Sequence, residues 1–375
     1  MTEAAGAAAL DARILDVVAR YGHDGSTLSY EAFLALAQAL FAHQVAHNEP
    51  YAAFARANGF SATRRPQTIA EIPAVPAAAF KDARLATFPP ERTVAWFETS
   101  GTTLGGKSGR HEFDTTALYE AALLASFDRM MLADGARLRY ANLVPDARER
   151  PHSSLGHMMA AVALARGDGR TAWYLHGDAL DVDGFVRDMR AAVADGTAVC
   201  VATTAFALVA LLDELAARDL ALALPPGSRI METGGFKGRS RFIARADLYR
   251  DASARLGVPI EAIVAEYGMT ELSSQWYDTP ASRARIEPRV KVAPPWLRAI
   301  VHDGEGTPLP PGTVGVIRHI DLANRGSAIA IDTEDVGALV EGGLVLFGRE
   351  AGAELRGCSL DAETLLARRG LARPR

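Results

Sequence analysis

The chain has 375 residues and is 49% hydrophobic, enough to bury a substantial core in two or three domains or one large one. Its formal net charge is −5 and it carries no basic block, so nucleic acid is excluded as an expected partner. The two cysteines, Cys200 and Cys358, cannot build a disulfide framework and fit a reduced, cytoplasmic setting.

The N-terminal MTEAAGAAALDARILD lacks the positive region and cleavage pattern of a signal peptide. Up to Asn58 the pattern is helical. Leu10 to Ala19 and Tyr30 to Ala46 carry apolar residues at helical spacing, with Ser29 placed to cap the second. Pro66 to Pro76 is a proline-marked connector. From Trp96 onward strands and helices alternate. The expected strands are VAWFET, RHEF, RYANLVP, TAWYLH, AVCVAT, SRIMET and AIVAEYG. The expected helices are 115–131, 154–165, 181–194, 205–217 and 240–255. Strands separated by helices imply crossover units and largely parallel sheets. The longest apolar stretch, Ala198 to Leu212, falls short of the ~20 residues of a membrane span. It is interrupted by Thr203 and Thr204, and predicts a buried strand followed by a helix. From about Arg289 the helices give way to short strands with turns at Asp303-Gly304, Pro311-Gly312 and Glu341-Gly342-Gly343. The expected division is a helical segment at 1–90, an α/β core at 91–288, a β-rich subdomain at 289–350 and a tail at 351–375.

Four segments carry chemistry. The first is Phe97 to Ser108, FETSGTTLGGKS, in which a strand feeds a glycine- and hydroxyl-rich loop ending in Lys107. Backbone N–H groups, hydroxyls and the lysine can cradle a triphosphate. Gly101 to Ser108 also satisfies G-x-x-x-x-G-K-S, but that phosphate loop needs a helix starting at its lysine. Here Gly109 and a strand-like RHEF come next, and the following helix is expected to be capped by Asp114 or Thr115. A flexible surface loop is the bland alternative. The second segment is Glu232 to Lys237, ETGGFK, where paired glycines at a strand end let a flat base lie against bare backbone; an ordinary βα turn is its alternative. The third is AEYGMTEL, which presents Tyr267, Thr270 and Glu271 in one short loop. An aromatic can stack on adenine, a hydroxyl can bind a phosphate and a carboxylate can hold magnesium, whereas a helix cap would use the same residues structurally. The fourth pairs Asp335 in IDTEDVG with Arg349 in LFGR. An Asp and an Arg can hold the two hydroxyls of a ribose, or can be surface charges in turns.

TSGTT with a following lysine, TGGF, EYGMTE, TEDVG and LFGR occur in the order and approximate spacing of the acyl-adenylate-forming superfamily, which this chain resembles. More narrowly, IPAVPAAAFK, HSSLGHMM and GAELRGCSL resemble the LuxE acyl-protein synthetase family over nearly the whole chain. The resemblance implies a large adenylating domain of largely parallel sheets flanked by helices, with a small C-terminal β-rich subdomain. It implies ATP and Mg2+ as cofactors and a carboxylic, fatty acid as substrate. Thr99, Ser100, Gly101, Thr102, Thr103 and Lys107 would grip the outer phosphates. Gly234, Gly235, Tyr267 and Gly268 would border adenine, Thr270 would touch the α-phosphate and Glu271 would hold magnesium. Asp335 and Arg349 would hold ribose. Cys358 would accept the acyl group, for hand-over to an acyl reductase.

Two departures stand out. The family's His-x-x-Gly frame reads Ser153-Ser154-Leu155-Gly156, with His152 and His157 alongside. The chain also ends soon after Arg349, so the mobile C-terminal cap with its catalytic lysine is expected to be absent or vestigial. Lys237 is then the candidate to approach the substrate carboxylate; its alternative is a solvated turn residue. Cys200, in AVCVAT, is expected in the core. Coenzyme A or a carrier-protein thiol as acceptor, or a degenerate nucleotide-binding partner protein, are the competing readings.

Overall fold

The computed structural model describes residues 3–99, 108–234, 244–285 and 288–349. In chain order it forms α1 (Glu3–Asp24), α2 (Tyr30–His47), α3 (Glu49–Ala57), β1 (Val75–Pro76), α4 (Ala79–Asp82), β2 (Ala95–Glu98), β3 (Arg110–Phe113) and α5 (Ala117–Met131). There follow β4 (Leu138–Pro145), α6 (Ser154–Arg166), β5 (Gly167–His176), β6 (Ala179–Leu180), α7 (Val182–Asp195), β7 (Val199–Thr204), α8 (Ala205–Ala217), β8 (Arg229–Thr233), α9 (Arg245–Leu256) and β9 (Ile263–Tyr267). The last elements are β10 (Trp276–Asp278), α10 (Pro280–Arg283), β11 (Lys291–Val292), β12 (Leu297–His302), β13 (Gly315–Asp321), β14 (Ala330–Val340) and β15 (Gly343–Arg349). The described residues fall into two compact units: those within 1–126, 269–275 and 290–349 form one, and those within 127–268 and 276–289 the other.

The second unit is the α/β layer that the alternating pattern predicts. Strands β9, β8, β7, β4 and β5 run parallel side by side, with β10 antiparallel at one edge and β6 at the other. One face of the sheet buries Ala141, Leu143, Val199, Val201, Ile230 and Ile263 against α7, α8 and α9. The apolar stretch from Ala198 resolves as expected into β7 and α8. Thr204 is the hinge between them: its hydroxyl accepts the Ala207 N–H at 3.1 Å and caps the helix. Cys200 is fully buried in β7, and burial pushes its thiol up to about 12, which makes it an unreactive core residue.

The first unit packs α1, α2 and α3 on an antiparallel sheet ordered β12-β13-β14-β15-β11, with β1 added in parallel on β14. Its core joins Ile14, Phe33, Leu40, Phe41 and Tyr51 to Trp296, Ile320, Ile329 and Ile331. Ser29 caps α2 as expected, accepting the Ala32 N–H at 3.2 Å. At α5 the expected choice between Asp114 and Thr115 resolves to Thr115. Thr115 accepts the Ala117 N–H at 3.2 Å, while Asp114 is occupied by Arg325 at 2.7 Å and Arg92 at 3.1 Å. A buried guanidinium needs a carboxylate partner more than a helix end does. Among the described residues no helix is long and apolar enough to cross a membrane.

Four buried ionisable groups of this unit set its response to acid. Burial drives His43 and His111 down to about 4, and His319 to about 3, from an ordinary 6.5. The unfolded chain therefore binds protons on these imidazoles between about 6.5 and 4 that the folded chain refuses, and stability falls as pH drops through that window. Asp321 opposes this. Burial raises it to about 6 from 3.8, so its contribution is present below 3.8 and is lost as pH rises towards 6. With three groups against one, the urea midpoint is expected to be lower at pH 5 than at pH 7. An equal or higher midpoint at pH 5 contradicts the burial of these histidines.

Candidate functional site

Strands β2 and β3 pair antiparallel, with Glu98 opposite Arg110. One residue further on, Thr99 N–H donates to the Gly109 carbonyl at 3.0 Å and the Gly109 N–H donates to Thr99 Oγ1 at 3.0 Å. These two bonds close the neck of the hairpin. Everything between them is the phosphate-loop candidate; Ser100, Gly101, Thr102, Thr103 and Lys107 lie outside the described residues. The P-loop alternative fails at the exit from the loop. Ser108 and Gly109 lead directly into β3, not into a helix whose N-terminus could hold phosphates. Gly109 has a packing reason of its own. A Cβ there would stand 2.7 Å from the backbone carbon and oxygen of Phe80 in α4. The AAAFK segment is therefore the surface on which the neck rests.

Strand β9 delivers the chain through Tyr267 and Gly268 to the turn that carries Thr270 and Glu271. Within the first unit this turn is pinned at Thr270, Glu271, Ser273 and Ser274. His111 of β3 meets the Thr270 carbonyl through Nδ1 at 2.8 Å. A carbonyl can only accept, so Nδ1 carries the hydrogen. The Thr270 hydroxyl donates to the Glu98 carbonyl of β2 at 3.4 Å. Asn324 Nδ2 donates to the Glu271 carbonyl at 2.8 Å. Asp321 accepts the Ser273 N–H at 3.0 Å and the Ser274 hydroxyl at 2.8 Å, and Trp296 Nε1 donates to Ser274 Oγ at 2.9 Å. His111 is sealed between Phe80 and Phe113, with ring centroids at 5.6 and 4.3 Å, and its depressed pKa keeps it neutral at pH 7. The hairpin neck, Thr270 and Glu271 are thus one hydrogen-bonded assembly.

Asp335 and Arg349 also come together. They are directly opposite each other in the β14–β15 register, and Asp335 is buried. In the second unit, Thr233 and Glu266 are register partners at the carboxyl ends of β8 and β9, and the Thr233 hydroxyl donates to the Glu266 carboxylate. Gly234 and Tyr267 therefore leave adjacent strands side by side, where parallel sheets collect ligands. Gly234 has φ +80°, with nothing within 4 Å of the position a Cβ would take. The left-handed backbone, not crowding, selects glycine there. Gly235, Lys237 and Cys358 lie outside the described residues. Gly156, in the frame replacing His-x-x-Gly, sits in the first turn of α6, where a Cβ would approach the Pro145 carbonyl to 2.5 Å.

Sequence reasoning missed His111, Asn324 and Asp321. Only the turn-forming Asn324-Arg325-Gly326 signalled the second, and nothing local signalled the other two. A groove of about 600 Å³ in the second unit, lined by Asp146, Arg148, Leu164 and Trp173 among others, contains none of the motif residues. Hydrogen-bonded geometry is the better guide to the site than the size of this groove, whose rim is occupied by an Asp146–Arg148 pair at 2.6 Å. Among the described residues no three His, Cys, Asp or Glu side chains converge in a metal-holding cluster. Magnesium carried on nucleotide phosphates asks for only one or two protein carboxylates, so the absence of a three-residue cluster does not bear on it.

The fold is that of the adenylating domains of acyl-adenylate-forming enzymes. An open conformation of 2-hydroxyisobutyryl-CoA ligase in complex with 2-HIB-AMP and CoA is similar at TM-score 0.64, with 14% identity over 85% of this chain and 69% of its own. McyG A-PCP complexed with phenylalanyl-adenylate is similar at TM-score 0.51, with 18% identity over 72% of this chain and 43% of its own. ATP-bound MatB from Rhodopseudomonas palustris gives TM-score 0.48 and 21% identity over 68% of this chain. This chain spans about half of MatB's length, 48%. No curated protein matches by sequence. The family profile "Acyl-protein synthetase, LuxE" matches residues 24–366, and the chain belongs to that family.

The pinned turn makes a measurable demand on His111. Phenylalanine there fills the aromatic slot but cannot donate to Thr270, whereas asparagine can. His111→Phe is expected to leave the melting temperature within a few degrees and to weaken Mg·ATP binding in calorimetry at least tenfold, about 1.4 kcal/mol. His111→Asn is expected to recover part of that loss. Unchanged ATP affinity in His111→Phe means the bond does not position the turn.

Proposed function

We propose that the protein activates a carboxylic acid with ATP and transfers the acyl group to a thiol, Cys358 of its own chain. The observation that carries this reading is the double attachment of Thr270 to both strands of the hairpin that bears the phosphate loop. An adenylating site needs a group on the α-phosphate and a cradle for the outer phosphates in fixed relation, because the bond that breaks lies between them.

In the first step a carboxylate oxygen of the substrate attacks the α-phosphorus. The bond from that phosphorus to the bridging oxygen breaks, and pyrophosphate leaves with the electron pair. Thr99, Ser100, Gly101, Thr102 and Thr103 bind the outer phosphates, and Lys107 neutralises charge as pyrophosphate separates. Gly234, Gly235, Tyr267 and Gly268 border adenine, Asp335 and Arg349 orient ribose, and Thr270 donates to the α-phosphate. Glu271 would hold magnesium, which when bound would supply charge neutralisation at the phosphates. Lys237 approaches the substrate carboxylate and lowers its repulsion from the α-phosphate. In the second step a thiolate attacks the acyl carbonyl and AMP departs, leaving a thioester. A thiol is only a few per cent ionised at pH 7, so Arg356 close to Cys358 in sequence is the natural group to favour the thiolate. Membership of the LuxE family further supports an acyl reductase as the partner that removes the acyl group, and a fatty acid as its source. An external thiol, coenzyme A or a carrier protein, is the second reading. The test is a carboxylic-acid panel in ATP–pyrophosphate exchange, each hit followed by intact-protein mass measurement. An acyl mass on the enzyme favours Cys358, and free acyl-CoA favours the external thiol. No exchange with any acid favours a degenerate nucleotide-binding partner protein.

Cys358→Ser is expected to leave acid-dependent pyrophosphate exchange within twofold of wild type while abolishing covalent labelling by radiolabelled acid. Labelling that survives the substitution removes Cys358 from the reaction.

A further inference from the structure

Side chains alternate along β4. Ala141 and Leu143 join the core beneath α7, α8 and α9, whereas Tyr140 and Asn142 point to the opposite face, where Tyr140 meets Phe127 at a centroid distance of 6.3 Å. Both are 0% exposed. Among the described residues neither amide atom of Asn142 has a hydrogen-bond partner, and the Tyr140 hydroxyl has none either. An amide sealed in a core without partners costs stability for as long as it stays unpaired. Leucine would fill this position at no such cost, and no neighbouring side chain or backbone group of the described residues pairs the amide.

Its place in the sheet indicates which partner. The register aligns Asn142 with Ala202, Ala202 with Met231 and Met231 with Val264. Two residues further towards the strand ends, the same face carries Thr204, Thr233 and Glu266, and Gly234 and Tyr267 follow at once. At ~3.3 Å per residue, the Asn142 row lies about 10 Å below Gly234. This face therefore descends from the candidate adenine border into the interior of the unit. Helix α6, packed on β4 and β5, contributes the buried Met158 and Met159 outside the α7–α9 core. Methionine repacks readily around an incoming chain.

We propose that this face binds the tail of the substrate acid, and that Asn142 recognises a hydroxyl or amide group part-way along it. The substrate class is then a chain-functionalised carboxylic acid rather than a saturated fatty acid. This rests on the adenylation reading above and deepens it. An amide both donates and accepts, so it pairs fully with a hydroxyl and is left unpaired by an alkyl chain. A site built in this way discriminates strongly against the analogue lacking the polar group.

The test compares decanoic acid with its mid-chain hydroxy derivative in pyrophosphate exchange, using wild type and Asn142→Leu. Wild type is expected to prefer the hydroxy acid at least tenfold in kcat/KM. Asn142→Leu is expected to melt higher and to lose that preference. Equal use of the two acids by wild type overturns the proposal, as does a preference that survives Asn142→Leu. If no acid supports exchange in wild type, adenylation itself fails and the thermal shift induced by each acid becomes the readout. A shift with the hydroxy acid that Asn142→Leu loses supports the pocket, and its absence overturns it. Should Asn142→Leu not fold, Asn142→Val takes its place. Failure of both to fold overturns the proposal, because an unpartnered amide is not required for folding.

Discussion

A single hydrogen bond from a buried imidazole joins two segments that lie far apart in sequence. His111 Nδ1 holds the Thr270 carbonyl, and through it the strand leaving the phosphate-loop candidate is tied to the turn carrying Thr270 and Glu271. The bond is strong because it is dry. Phe80 and Phe113 enclose the ring, so no water competes for the carbonyl, and the same enclosure keeps the imidazole neutral. The nearby carboxylate of Glu112 is already paired with Arg84 at 2.8 Å, so burial outweighs its pull on the imidazole. Gly109 completes the arrangement from the other side, since only a residue without a Cβ lets the hairpin neck lie on the α4 backbone.

Around this bond the first unit concentrates buried polarity on one short segment, Met269 to Gln275. Asn324 holds the Glu271 carbonyl, Asp321 holds Ser273 and Ser274, and Trp296 donates to Ser274. Gln44 in α2 donates to the Asn324 carbonyl at 2.8 Å and accepts the Ile329 N–H at 2.9 Å, so the network continues into the N-terminal helices. Dense networks of this kind fix one conformation more sharply than apolar packing does, because any shift breaks several bonds at once; among the described residues Ser273 Oγ, Gln275 Oε1 and Asn324 Oδ1 are the buried atoms of this network without a partner. The proposed adenylation calls for that rigidity, as reacting groups must stay within a fraction of an ångström of their targets. The second unit is built on the opposite principle. Its parallel strands bury mostly apolar side chains; the buried polar ones among them are Asn142, Thr203, Glu232, Thr233 and Glu266, of which Glu232 is held by the Tyr249 hydroxyl and Thr233 pairs with Glu266.

Most of the secondary structure was legible. The alternation of short β-branched runs with amphipathic helices predicts β4, β5, β7, β8, β9 and α5 through α9 nearly as they stand, because each signal is local: a period, a cap, a glycine; the two-residue β6 was not expected. Thr204 is a good instance, a hydroxyl that interrupts an apolar run because it ends a strand and caps a helix. The two-residue β1 escaped notice, since Val75 and Pro76 become a strand only by pairing with Ile331 and Asp332, more than two hundred residues away. The N-cap of α5 stayed open between Asp114 and Thr115, because what takes Asp114 away is Arg325, an interaction that no local pattern encodes.

The same division holds at the candidate site. By itself the sequence determined the inventory: a glycine- and hydroxyl-rich loop between two strands, a Tyr267-to-Glu271 turn after a strand, and an Asp and an Arg in successive strands. These are short-range statements about backbone freedom and donor type, which neighbouring residues suffice to specify. Only the tertiary structure decided that Asp335 and Arg349 face each other across a ladder, that Gly234 and Tyr267 leave adjacent strands, and that His111 and Asn324 are the groups that hold the turn. Those facts depend on strand register and on which surfaces are dry, and both are set by the packing of segments hundreds of residues apart.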